Sequence, residues 1–195
     1  MKSTLPQASA LQGKRVITIQ TALGKSCVND SYLPPRLTCF RHTEGMAISV
    51  LWATEPGSTL PVGFQDPVQS LKSLHPAPGA SVFLLLTLPP DSVFSRADFD
   101  ASAAATELAV STPGLAERFE PDAPGFHSTE TVDYITVMEG NVWLELDDLE
   151  VQLKPHDVVV QNGTRHAWRN RGETSATLSV VLIGAQRSGE TKREI

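Results

Sequence analysis

The stretch PGFHSTETVDYITVMEG, residues 124–140, puts His127, Glu130 and Asp133 within seven positions, directly ahead of a run rich in β-branched residues. Side chains of an extended chain alternate between faces, so His127, Thr129, Thr131 and Asp133 fall on one face with Ile135 and Val137. An ionisable group in line with a core-facing Ile and Val must be paired, protonated or bound to a cation. Glu130 and Tyr134 fall on the opposite face. Glu130 reads as a solvated corner charge and Tyr134 as packing on the outside of a sheet.

A second block, LKPHDVVVQNGTRHAWRN at 153–170, carries the remaining chemistry. DVVVQ reads as a short buried strand, and Asn162–Gly163 is a strong signal for a tight turn. Past the turn, His166, Trp168 and Asn170 share one face while Ala167 and Arg169 take the other. That face offers an imidazole, an indole and an amide, the composition of a pocket wall with a polar handle. His42 and His75 lie in loop-like or edge-like sequence, His156 in an exposed turn, and Trp143 reads as a core aromatic.

The elements that must position these groups are mostly strands. RVITI, GMAISVLWAT, ASVFLLLTL, VDYITVM, VWLEL, EVQL, DVVVQ, HAWRN and ATLSVVLIGA recur between Pro, Gly and Asx punctuation, which predicts an all-β sandwich or barrel. The alanine-rich DFDASAAATELAV predicts one short helix with Asp98 or Asp100 as its N-cap. TPGLAERF predicts a second helical turn with Thr112 as cap and Pro113 at the first position. Residues 53–80 have no periodicity and many breakers, and read as a long loop.

The chain has 195 residues and a net charge of −6 without any Lys/Arg cluster, which argues against a nucleic-acid surface. No segment approaches the roughly 18 apolar residues of a membrane span. Cys27 and Cys39 are too few for a disulfide framework, and no apolar leader precedes RVITI. The expectation is a cytoplasmic protein with both thiols reduced, each a small buried hydrophobe.

Together the two blocks resemble the paired motifs of the cupin superfamily. With Gly140 fixing the register, Asp133 takes the place of the first motif's Glu and His127 that of its first His. His156–Asp157, Gln161, Gly163, His166 and Asn170 take the corresponding places of the second motif. The chain departs from the pattern at four of these positions. Thr129 stands where the second His belongs, Asp133 replaces Glu, His156 replaces Gly and Gln161 replaces Pro.

The resemblance implies a cupin-type jelly-roll β-barrel with an N-terminal strand extension and a short helical insertion. On that plan residues 1–195 form a single domain. Residues 1–95 hold the arm, strands and long loop, 96–123 the helical insertion, 124–186 the core motifs and 187–195 a solvated tail. It implies a catalytic and metal-ligating set of His127, Asp133 and His166 around a divalent ion, Zn, Fe, Mn or Ni, with Trp168, Thr129 and Asn170 binding substrate; without a metal, a carboxylate close to an imidazole tunes its pKa for proton transfer. The leading expectation is an enzyme acting on a small oxygenated organic molecule, aromatic or polyketide-like, by metal-assisted or His/Asp acid–base chemistry such as dehydration, decarboxylation or isomerisation. An Fe(II)-dependent dioxygenase and a non-catalytic small-molecule-binding cupin are the alternatives. The family also implies a homodimer, with RVITI at 15–19 as an exchanged arm, and no nucleic-acid or membrane partner.

Overall fold

The computed structural model describes residues 11, 13–29, 33–61, 63 and 65–188. Eleven strands and one α-helix are found among them. A six-stranded antiparallel sheet runs β3 (Arg36–Cys39), β4 (Ala47–Thr54), β5 (Ser81–Leu88), β11 (Ala176–Gly184), β6 (Thr131–Glu139) and β9 (Val158–Gln161). A three-stranded sheet runs β10 (Ala167–Arg169), β7 (Val142–Glu145) and β8 (Glu150–Leu153). Alternate residues of both sheets meet in one apolar cluster. Ile48, Val50, Val82, Leu84, Ile135, Val137, Leu178, Val180 and Leu182 come from the large sheet, and Val142, Leu144 and Leu153 from the small one. The result is the jelly-roll β fold expected from the motifs.

Strand β6 shows how the sequence writes this core. Thr131, Asp133, Ile135 and Val137 are buried, while Tyr134 and Met138 are exposed. The period of two places one set inward and the other outward, and a slip by one residue would reverse both. Polar residues inside the sheet are bonded across strands where register allows it. Thr87 and Thr177 are partners on β5 and β11, and their hydroxyl oxygens lie 3.0 Å apart.

The arm at 15–19 does not reach out as expected. Its β1 (Ile17–Gln20) pairs antiparallel with β2 (Ser26–Asn29) of the same chain. Arg15 anchors the hairpin through a buried ion pair with Asp66 and a 2.9 Å bond to the Leu51 carbonyl. The register of β4 against β5 shifts around Leu51, a bulge, and the arginine fills one acceptor there. Cys27 is half-buried and Cys39 exposed, so Cys39 is not the core residue expected; both thiols are free.

The helix α1 (Ala101–Ser111) starts where expected, with the Asp100 carboxylate accepting from the Ala103 N–H at 3.0 Å. It lies on the surface with no fully buried residue. Glu107 ties it down by accepting from the Arg41 and His42 backbone N–H groups. The second helical turn differs from expectation. Thr112 closes α1 rather than opening a new helix, because its hydroxyl and its N–H both donate to the Leu108 carbonyl. Gly114 then turns left-handed at φ +81°, and only a short 3-10 turn at Ala116–Arg118 follows. Among the described residues of 55–80 no strand is found, yet Val68 and Leu74 are buried, which pins the long loop to the core. Among the described residues no helix is long and apolar enough to cross a membrane.

Leu178 is fully buried on β11, between Leu86 and Val137. Leu178→Ala is expected to cost about 2–5 kcal/mol in urea unfolding. The exposed Leu149→Ala, in the turn between β7 and β8, is expected to stay within about 0.5 kcal/mol and serves as the control.

Candidate functional site

The first block meets the second through its backbone. His127 N–H donates to the His166 carbonyl and His166 N–H to the His127 carbonyl, each at 3.0 Å. This reciprocal pair lies outside the named strands and brings the two imidazoles to 4.3 Å between ring centroids. Phe119 stacks on the other side of His127 at 4.6 Å, and Trp168 meets His166 edge-on at 6.1 Å. The turn after β9, inside the second block, requires glycine at 163: φ is +64°, and a Cβ there would lie 2.5 Å from the Thr129 carbonyl oxygen.

Each imidazole is fixed by its Nδ1. That of His127 lies 3.1 Å from the Gly125 carbonyl, and that of His166 2.9 Å from the Thr164 carbonyl. A carbonyl only accepts, so both Nδ1 atoms carry the proton and both Nε2 atoms present a lone pair. Burial lowers both pKa values. For His166 it is reinforced by His127 and the value falls to about 4; for His127 the Gly125 carbonyl and Glu120 oppose the shift. Both rings are therefore neutral at neutral pH.

Asp133 is 3% exposed on the same strand face. Burial raises its pKa to about 6, with the Thr131 hydroxyl working against the rise. Thr129 is buried and accepts a 2.7 Å bond from the Thr131 hydroxyl. Trp168 is half-buried against the core. Asn170, expected to bind substrate, instead spends both amide hydrogens on the Leu88 and Thr174 carbonyls and accepts from the Gly172 N–H. It clamps the chain after β10.

The expected ligand set of His127, Asp133 and His166 comes together only in part. The two imidazoles are neighbours, but among the described residues no three His, Cys, Asp or Glu side chains are grouped to hold a metal ion. Backbone-anchored Nδ1 atoms with free Nε2 atoms are what metal-binding imidazoles show. The third donor is not in place, so the set as placed does not fit a three-ligand ion.

Three participants were not legible in the sequence as site residues. Gln161, noted only as a replacement for Pro, lies directly across from Asp133 on β9. Its inward parity with Val159 was the available signal. Glu130, expected to be a solvated corner charge, gathers Arg118 at 2.8 Å and Arg187 at 3.4 Å on its carboxylate, and its N–H donates to His75 Nε2 at 3.2 Å. Arg187, at the start of the stretch read as a solvated tail, donates to the Gly163 and Thr129 carbonyls. Residues 189–195 of that stretch lie outside the described residues.

Two cavities, about 540 and 520 Å³, lie away from the imidazole pair. The larger sits between the N-terminal hairpin and the outer sheet face at Leu51, Trp52, Phe83 and Leu85. The other is bounded by His75, Glu130 and Arg187. Neither is lined by His127, Asp133 or His166, and the convergence of buried polar groups, rather than volume, marks the candidate site.

No family model matches the chain. It is 37% identical over 81 residues to oryzines biosynthesis cluster protein J of Aspergillus oryzae, covering 37% of this chain and 45% of that protein. It is 50% identical over 50 residues to phomopsin biosynthesis cluster protein C′ of Diaporthe leptostromiformis, covering 25% of this chain and 26% of that protein. The chain thus spans less than half the length of these curated relatives. Among solved structures it is similar to the cupin domain of Schizosaccharomyces pombe Cnp3, with TM-score 0.43, 8% identity and 88% of each chain covered. It is also similar to a cupin-superfamily sugar phosphate isomerase from Silicibacter pomeroyi, with TM-score 0.38, 16% identity and 73% and 61% covered. These structural neighbours are cupins.

The shifts of Asp133 and His166 have opposite linkage signs. The folded state holds the Asp133 proton from its ordinary 3.8 up to about 6, so its contribution is lost as pH rises through 6. The His166 contribution is present above 6.5 and lost as pH falls toward 4. Asp133→Asn removes only the first. Relative to wild type, the variant is expected to gain up to about 3 kcal/mol between pH 4 and pH 7.5 in urea titrations. A pH-independent difference would contradict the buried, raised carboxyl.

Proposed function

We propose that the chain is a cupin-fold enzyme that acts on a small oxygenated organic molecule by acid–base chemistry, as one step of a biosynthetic route. The observation that carries this reading is the imidazole pair: two neutral rings, locked through Nδ1, with two free Nε2 acceptors side by side. In this reading the Nε2 atoms of His127 and His166 accept hydrogen bonds from a substrate hydroxyl or enol and orient it. Asp133, with a pKa near 6, is the group matched to moving a proton at physiological pH. Dehydration, decarboxylation and isomerisation each need such a transfer beside a developing enolate. The names of the cluster relatives support a biosynthetic setting. Trp168, beside His166, supplies an apolar wall for the substrate.

We further propose a homodimer. The outer face of the large sheet exposes Tyr134, Met138, Val158 and Val160, with Tyr134 and Val160 paired across β6 and β9. An apolar patch of this kind is usual at an interface between proteins. Val160→Lys is expected to shift the mass measured by light scattering from dimer to monomer, and a wild-type monomer removes the proposal.

The test of activity uses purified protein in D₂O with a panel of β-hydroxy and β-keto acids, read by mass spectrometry for loss of water or CO₂ and for deuterium uptake. His127→Ala and His166→Ala are each expected to lower turnover about 10²–10⁴-fold while the far-UV circular dichroism is retained. Wild-type turnover in both variants overturns the assignment. Oxygen uptake on addition of Fe(II), in place of these losses, would move the reading to a dioxygenase.

A further inference from the structure

Two side chains on the inner face of the large sheet hold polar atoms with nothing to bond. Asp133 Oδ1 and Gln161 Nε2 are buried, their residues 3% and 4% exposed, and neither atom has a hydrogen-bond partner among the described residues. The two residues are cross-strand partners on β6 and β9. Directly opposed residues on one face have Cβ atoms about 4.5–5.5 Å apart. One orphan is an acceptor and the other a donor.

The Gln161 amide is also oriented. Its Oε1 accepts a 2.7 Å bond from the Thr164 hydroxyl, which leaves its nitrogen end unspent. The next turn carries Gly163 and leads to His166, which ties Gln161 to the imidazole pair along the chain. The second cupin motif has Pro at the place of Gln161, and a proline side chain has no donor to give. The feature is this chain's own.

Ligand chemistry follows from the two atoms. A carboxylate brings no proton for Asp133 and repels it. An ester or ketone satisfies Gln161 alone, and an ammonium Asp133 alone. A neutral group that both donates and accepts satisfies both, a hydroxyl through one oxygen and a lactam through two neighbouring atoms. We propose that Asp133 and Gln161 form a recognition pair for such an edge, the N–H and C=O of a lactam or primary amide, on the small molecule taken into the barrel. The inference rests on the reading of the barrel interior as the ligand site given under the proposed function.

The probes are 2-pyrrolidinone, which has both groups, and γ-butyrolactone, which has the same ring size without the donor. Titrations of ¹⁵N-labelled protein follow the Gln161 side-chain amide signals. The lactam is expected to move them and to bind at least about tenfold more tightly than the lactone. Asp133→Leu is expected to erase that preference, and Gln161→Leu to weaken both probes. Should either variant not fold, the lactam–lactone comparison on wild type decides alone. Equal affinity for the two probes, unmoved Gln161 signals, or a crystal structure with only a buried water bridging the two side chains in the presence of the lactam overturns the pairing. The outcome is separable from the proposed function. Lost preference with histidine-dependent turnover overturns the pairing alone, and turnover retained in both histidine variants overturns the proposed function alone.

Discussion

The site depends on one reciprocal pair of backbone hydrogen bonds, between residues 127 and 166. Thirty-nine positions of chain separate them by number, and neither lies in the long ladders of the sheets. The bonds fix the two backbones face to face, and that alone sets the rings in contact. Side-chain bonds to the Gly125 and Thr164 carbonyls then choose the tautomers. Every chemical property of the pair descends from this order: backbone first, ring orientation second, lone pairs last.

The same burial acts oppositely on the two kinds of ionisable group. Removing water disfavours whichever form is charged, so imidazoles become harder to protonate and the carboxyl harder to ionise. His127, His166 and Asp133 are thus all biased toward neutrality. A jelly roll tolerates the two imidazoles inside because neutral groups need only hydrogen bonds, whereas ions need counter-ions. The barrel supplies those bonds incompletely at Asp133 and Gln161, and incompleteness inside a packed sheet is the mark of a place meant for something else.

Much of this was readable from residue order. The alternation of Thr129, Thr131, Asp133, Ile135 and Val137 is a period of two, and burial follows it without exception. The Asp100 cap and the Asn162–Gly163 turn were visible because their signals are local. What escaped was not local. Thr112 is as good a start as a stop for a helix, and only the bond to Leu108 decides. The partnership of Asp133 with Gln161 is a matter of strand register, which no short window contains. Asn170 kept its motif position while its amide went to the backbone, because a motif names a residue and not its partners. The folding back of the N-terminal strand onto β2 likewise depends on a pairing choice that the RVITI pattern leaves open.

The carboxylate of Glu130 joins a 3-10 turn through Arg118 and the stretch after β11 through Arg187, whose guanidinium also reaches the carbonyls of 129 and 163, while the Glu130 N–H donates to the neutral His75 of the long loop. The barrel's centre is held by apolar contact, but this rim is fastened by charge at a partly open surface. Counter-ions weaken such fastenings over a Debye length of about 8–10 Å at ordinary salt and hardly touch packed methyl groups. Ionic strength therefore acts on this molecule as a local solvent for its rim, loosening the two arginine-held segments together while the sheets stay closed.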